Sequence, residues 1–370
     1  MDRADVAIIG AGAVGLAVAR ALQGDGARVT VLERHPAPGR EQSTHNSGVV
    51  HSGAFLPPGS LRAELVRSGR AALVAAARAL GVPVDECGTL AVARHPGELA
   101  RLEEYGRWAA LQGIPGAERL SAAEARRVEP ALGPVTEALF LPSGGRIDAA
   151  ALVDRLAARV RADGGEIVLG FEVRAADRSD GGWSVDASDG RRLRADAVVN
   201  AAGVASADVA DRLGAPGWTI YPCLGEYARV RPPKESWVRA MVYGIAAPGH
   251  PGIGAHLTRG LDGALRVGPT ATYLAGPTPP ATPVTPLEEF AREASSLVPG
   301  IDAEDLDPAP PGVRAKLVPP GSKSAFGDFV LAEAPTGARA FQLVGIESPG
   351  LTASFGIAAR VAAWYGALRR

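Results

Sequence analysis

A chain of 370 residues is longer than one typical domain and has room for two hydrophobic cores or one core with a large elaboration. It is 46% hydrophobic and 21% charged, with 39 basic against 40 acidic side chains. The net charge of -1 argues against a nucleic-acid binder driven by phosphate contacts. Its two cysteines, Cys87 and Cys223, lie far apart with no histidine at ligand spacing, so neither a disulfide framework nor a metal site is expected, and a reducing cytoplasm fits. The opening MDRADVAIIG carries no basic leader, and no window nears the roughly 18 apolar residues of a membrane span, which leaves only peripheral membrane contact open.

In chain order, residues 5–33 (DVAIIGAGAVGLAVARALQGDGARVTVLE) predict a strand, a glycine turn, a helix and a second buried strand. A polar loop rich in small residues follows, STHNSGVVHSGAFLPPGS at 43–60, then an alanine-rich helix over 61–80 and further helical stretches within 97–129 broken by GIPG. A helix at 149–163 leads into the strand EIVLG and then a hairpin from FEVRAADRSD to GWSVDASDG. ADAVVNAAG closes this block as a buried strand ending on glycine. From 216 to 319 short strands alternate with Pro and Gly, and AGPTPPATPVTP at 275–286 reads as a rigid surface connection because it cannot supply sheet donors. The last 45 residues hold the strand FQLVGIE, the turn SPGLTAS and a helix over 353–368, and no internal repeat is present.

Gly10, Gly12 and Gly15 spell GxGxxG between the first strand and helix. The first glycine permits the tight turn, the second lets the backbone approach a pyrophosphate and the third lets the helix pack on the sheet. A diphosphate would sit against the helix start at Ala13 and Val14, where free N–H groups and the dipole favour an anion. Glu33, with Arg34 beside it, ends the second strand and would accept hydrogen bonds from ribose hydroxyls. The bland alternative is a structural glycine turn in a fold without a ligand. One fingerprint with a second glycine-ended strand far downstream favours FAD, embedded lengthwise, over NAD.

Four segments together carry a resemblance: IIGAGAVGLAVARAL with VLE, STHNSGVVHSGAFLPPGSLRAEL, GAHLTRGLDGALRVGP, and GVRAKL with FGDFVLAE and LVGIESPGLTASFGIA. Spanning residues 6–358, they resemble the D-amino-acid oxidase and glycine oxidase type of FAD-dependent oxidoreductase, and most of all its L-2-hydroxyglutarate dehydrogenase and oxidase branch. The resemblance implies an α/β fold: a Rossmann-like FAD domain of the GR2 type from residues 1–85, 140–215 and 320–370. A second α+β substrate domain on a mixed or antiparallel sheet would come from 86–139 and 216–319. It also implies that Thr44, Asn46 and Ser47 line the flavin and ribityl side, that the backbone near Val173 meets the adenine, and that Ala202 and Gly203 pass close to the dinucleotide. Gly350, Leu351 and Thr352 would turn backbone N–H groups toward the flavin ring. The chain departs from this family at Leu224, where a basic residue is common, and at Ala54, Phe55 and Leu56, where an aromatic pair is common; such positions shape a substrate cavity.

Oxidation of a 2-hydroxy acid, L-2-hydroxyglutarate first among them, asks for a base and a cation. His51, sharing a face with Val49 and Gly53 in an extended chain, is the first candidate base, against a histidine that merely hydrogen-bonds cofactor or backbone. His256 is a second proton-transfer group or substrate contact. Arg259 falls on the opposite strand face from His256 and reads more readily as a solvated turn residue. Arg314 and Lys316 alternate onto one face and would meet a carboxylate, against the alternative of an exposed charged strand. Glu226 and Tyr227 are cavity candidates, with core packing an equal alternative for the tyrosine. His45 would point away from Thr44 and Asn46 in an extended chain, and His35, His95 and His250 flank prolines without a special role. Oxidation of a C–N bond, a tailoring reaction, or nucleotide binding without catalysis remain as rival functions. With no second nucleotide fingerprint, the expected electron acceptor is oxygen, a quinone or another carrier.

Overall fold

The computed structural model describes residues 3–179, 181–246, 254, 256–322, 327–335 and 337–370. Two large sheets dominate it. In the first, the strand Ala4–Ile9 lies at the centre, parallel to Val29–Glu33 on one side and Arg192–Asn200 on the other. Glu166–Leu169 continues the parallel order beyond Val29–Glu33, and Ala340–Val344 continues it beyond the C-terminal half of Arg192–Asn200. The N-terminal half of that long strand pairs instead with Gly182–Ala187, itself antiparallel to Val173–Ser179. This is the Rossmann-like α/β arrangement, with an antiparallel layer folded over one end.

Strand alternation separates the two faces of this sheet. Val6 and Ile8 enter a core with Leu16 and Leu22 of the helix Ala13–Gly24, Leu156 of Ala149–Ala162 and Val361 of Gly350–Leu368. Ala7 and Ile9 face the other way, toward Trp183, Val185 and Leu213. The helix Leu61–Ala79 packs on Gly350–Leu368 through glycines: a Cβ at Gly69 would stand 2.7 Å from the Gly356 backbone nitrogen. Among the described residues no helix is long and apolar enough to cross a membrane.

The second sheet has nine strands. Its centre is antiparallel, Tyr221–Val230, Leu265–Gly268, His256–Arg259 and Met241–Gly244 in spatial order. Met241–Gly244 then pairs in parallel with Thr89–Ala93, followed by Glu137–Leu141 and Glu118–Ser121. Neither Thr89–Ala93 nor Glu137–Leu141 announces itself in the sequence. Every residue of the first is buried, so no alternation of apolar and polar residues is written into it. Among the described residues Leu306–Lys316 pairs only with Tyr221–Val230, and such an edge position tolerates Pro308, Pro310 and Pro311. The helix Leu287–Leu297 covers one face of the sheet; Phe55, Tyr105 and Tyr243 pack on the other.

Candidate active site

One long cleft runs from the carboxyl ends of the parallel strands to the inner face of the second sheet. At its first end Gly10 has φ +109°, and a Cβ there would overlap the Ala201 carbonyl oxygen. A Cβ at Gly12 would come within 2.7 Å of the Ser43 hydroxyl, so the backbone can approach a ligand only because both positions are bare. Gly15 lies behind the cleft, packed on the Gly10 carbonyl. The Ala13 N–H donates to Ser43 Oγ at 2.9 Å, and among the described residues the N–H groups of Val14 and Gly15 remain as open donors of that helix's first turn.

Glu33 is buried on the cleft wall, where its carboxylate accepts the N–H groups of Ala11 at 2.8 Å and His35 at 2.9 Å. Its remaining lone pairs suit a pair of hydroxyls. Arg34 also borders the cleft but is tied to Glu41, which in turn contacts His35 Nε2 at 2.6 Å. Burial opposes ionisation of Glu41, yet His35 and Arg34 outweigh it and hold the carboxyl below its ordinary range. Val173, Ala202 and Gly203 complete this wall. Asn200 fixes the turn they sit on: its Nδ2 donates to Ser206 O and Gln342 Oε1, both at 2.8 Å, and its Oδ1 accepts from the Ala202 N–H.

The loop after Glu41 differs from the extended chain expected of it. Asn46 Nδ2 donates to the carbonyls of Gln42 and Ser43, and its Oδ1 accepts the Gly48 N–H at 2.7 Å, which closes a turn. Alternation therefore fails here. His45, Asn46 and Ser47 all border the cleft, while Thr44 does not; its hydroxyl donates to the Gly39 carbonyl.

At the far end His51, Tyr227, His256 and Arg314 meet. Burial pushes the His51 imidazole from 6.5 down to about 4, so it is neutral at physiological pH, and its Nε2 opens onto the cleft beside Ser348 Oγ at 3.4 Å. His256 is stacked on Tyr243 with ring centroids 4.2 Å apart, and its Nδ1 contacts the Gly254 carbonyl at 3.3 Å. A carbonyl accepts only from N–H, so the proton sits on Nδ1 and Nε2 keeps a lone pair, buried and without a partner among the described residues. Burial first, then the charges of His51 and Arg314, bring this imidazole down to about 3 against the pull of Gly254. The Arg314 guanidinium is held by the Thr270 carbonyl at 3.0 Å and lies flat over Gly225, where a Cβ would stand 2.7 Å from it.

Several charged or polar candidates are engaged elsewhere. Lys316 reaches the cleft wall but is almost wholly buried, and its Nζ is 3.1 Å from both oxygens of Glu347. Glu226 faces away from the cleft because alternation turns Gly225 and Tyr227 toward it. Its carboxylate instead accepts the N–H groups of Val284 at 2.8 Å and Thr285 at 3.1 Å, clamping the proline-rich connection. Arg259 stays on the opposite strand face from His256, its Nε 3.4 Å from the Gly263 carbonyl, and does not border the cleft. Thr352 sits under the cleft floor; its hydroxyl accepts the His51 N–H at 3.1 Å and links the last helix to the His51 loop. Gly350 and Leu351 border the cleft, but the Gly350 N–H already donates to the Glu347 carbonyl, so Leu351 and Thr352 carry the free donors of that helix start among the described residues. His250 lies outside the described residues. Ser43, Asn200, Gly225, Thr270 and Ser348 were not among the sequence candidates; only the motif neighbourhoods GEY, STHN and ESPG hinted at three of them.

A family described as FAD dependent oxidoreductase matches residues 5–364. The chain belongs to the DAO family of FAD-dependent oxidoreductases. It is 31% identical over 404 residues to the L-2-hydroxyglutarate dehydrogenase of Salmonella houtenae, covering 99% of this chain and 94% of that one. It is 30% identical over 281 residues to the mitochondrial L-2-hydroxyglutarate dehydrogenase of Homo sapiens, covering 72% and 60%. Among solved structures, the FAD-bound L-alpha-glycerophosphate oxidase of Mycoplasma pneumoniae superposes with a TM-score of 0.89 at 26% identity over 98% of this chain and 96% of that one. Glycine oxidase from Geobacillus kaustophilus shares the fold, with a TM-score of 0.83 at 23% identity over 98% and 95%. FAD is the cofactor of this family, and the cleft has the donor set for it: bare glycines and free helix N–H groups for the diphosphate, and Glu33 for the ribose.

Proposed function

We propose that this enzyme oxidises the CH–OH group of a small 2-hydroxy acid to the 2-oxo acid. The observation that carries this reading is the convergence of a neutral, cleft-facing His51 with the Arg314 guanidinium at one end of the dinucleotide cleft. Arg314 binds the substrate carboxylate, and the planar fork that Thr270 leaves oriented suits two parallel hydrogen bonds. His51 Nε2 takes the hydroxyl proton as the C–H bond is broken. Bound FAD supplies the acceptor for the two electrons and the hydrogen of that bond. His256, whose lone pair is sealed from solvent, is the second proton-holding group beside it.

The dehydrogenase relatives make L-2-hydroxyglutarate the first substrate to test. Reoxidation falls to oxygen, a quinone or another carrier, not to NAD(P). Anaerobic mixing of the holoenzyme with L-2-hydroxyglutarate, other 2-hydroxy acids, glycine and secondary amines, followed at the flavin absorption band, tests the reading. Bleaching by one or more hydroxy acids is expected, and bleaching by amines alone would overturn it.

A further inference from the structure

The strand Val49–Val50 that leads into His51 lies at the edge of a three-stranded sheet. One side of it pairs with Gly145–Ile147, in the register Val49 with Arg146 and Val50 with Gly145, and the Ile147 N–H donates to the Gly48 carbonyl at 2.7 Å. Backbone polar groups alternate in direction along an antiparallel strand, so those of Val49 and His51 point away from that partner. On the side they face stands the hydroxyl of Thr352. Its Oγ1 accepts the His51 N–H at 3.1 Å and donates to the Val49 carbonyl at 3.4 Å, as a neighbouring strand would.

Thr352 is fully buried in the first turn of Gly350–Leu368. A hydroxyl in a helix ordinarily bonds back to its own preceding turn, as Ser354 does to the Leu351 carbonyl at 2.8 Å. That of Thr352 reaches out of the helix instead, to a segment 301 residues away in the chain. The turn is backed by the helix Leu61–Ala79, where a Cβ at Gly69 would stand 3.1 Å from the Thr352 carbonyl oxygen. Gly350 and Leu351 of the same turn form the cleft floor, and His51 Nε2 opens onto the cleft beside Ser348. One hydroxyl therefore ties the backbone of His51 to the turn that makes the floor. Reacting groups tolerate little error in placement, since a shift of about 1 Å can cost up to about 100-fold in rate. We infer that Thr352 is a positioning residue whose hydroxyl sets the height of the His51 imidazole above the cleft floor. This rests on the reading of His51 as the base, and Thr352 itself touches neither the substrate nor its proton.

Two measurements on purified holoenzymes test it. Amide hydrogen exchange without substrate, read on the peptide that carries residues 49–53, should be about tenfold faster in Thr352→Val, which keeps the side-chain shape and removes the hydroxyl. Thr352→Ser should exchange as slowly as the wild type. In single-turnover flavin reduction by the best 2-hydroxy acid, Thr352→Val should lower the limiting rate about 10- to 100-fold, with substrate affinity, set by Arg314, within about twofold. Thr352→Ser should recover that rate to within about threefold of the wild type. Added to His51→Ala, Thr352→Val should slow reduction no further, because no base is left to place. If Thr352→Val does not keep its flavin, Thr352→Ala takes its place with the same expected results. Loss of flavin from both would assign the hydroxyl to the cofactor and overturn the inference. So would an unchanged exchange rate, or equal losses of rate in Thr352→Val and Thr352→Ser. An unchanged reduction rate in Thr352→Val beside a slow His51→Ala overturns this inference alone; unchanged rates in both overturn the base assignment on which it rests.

Discussion

The two ends of the cleft are built from different material. The nucleotide end is made of backbone: Gly10 and Gly12 bare against Ala201 and Ser43, open N–H groups at a helix start, a carboxylate ending a strand. The reacting end is made of side chains: Tyr227, His256 and Arg314 from three strands of the second sheet and His51 from the loop after Val49–Val50, with His51, His256 and Arg314 held by Thr352, Tyr243 and Thr270. Backbone geometry follows from steric rules that act within a few residues. Side-chain geometry depends on register and on which charges find partners, and both are tertiary outcomes.

Substitutions should separate the two ends. The largest effect is expected from Gly10→Ala, which places a Cβ against the Ala201 carbonyl at a φ of +109°. The protein should be purified without flavin and should not take up added FAD, as read by absorbance and fluorescence quenching; a yellow holoenzyme would contradict the backbone account. Arg314→Met comes next: FAD should stay bound while kcat/KM for the best 2-hydroxy acid falls on the order of 100-fold, a loss of ~3 kcal/mol typical of a charge-assisted hydrogen-bonded pair. Glu226→Gln, one strand position from the cleft face, should instead lower Tm and leave kcat/KM within about twofold, since it weakens only the hydrogen bonds to the 284–285 connection, each worth about 1 kcal/mol. If Glu226→Gln impaired turnover as much as Arg314→Met, the assignment of strand faces would be wrong.

The smallest effect concerns pH. Folded-state pKa values of about 4 for His51 and about 3 for His256 lie below the ordinary 6.5, so the unfolded chain binds more protons in between. Their contribution to stability is complete above about pH 6.5 and is lost progressively as pH falls toward 4. Tm should therefore drop on going from about pH 7 to about pH 5, and less steeply in His256→Asn than in the wild type. Parallel pH profiles for the two proteins would count against burial of a neutral His256.

The same contrast explains what could be read in the sequence. The βαβ fingerprint, Glu33 and the strand ending at Asn200 are legible because strand, turn and helix signals coincide within thirty residues or less of each other or end on glycine. The mixed second sheet was harder: Thr89–Ala93 is buried on both faces and carries no alternation. Thr44 and His45 exchanged places because Asn46 closes a turn where an extended chain was assumed. Lys316 looked available because its partner, Glu347, lies thirty-one residues downstream and nothing local pairs them. Glu226 was a cavity candidate until the strand face was known. Arg314 and His51 were visible as residue types, but the neutrality of His51 is a property of its burial, which no motif states.

The most direct measurement of the central account is single-turnover flavin reduction in His51→Ala. The variant should bind FAD as the wild type does and be reduced at least ~100-fold more slowly by the best 2-hydroxy acid, the effect expected of losing a positioned base. Equal reduction rates in the two holoenzymes would show that His51 takes no proton from the substrate, and the proposed chemistry at this end of the cleft would fall.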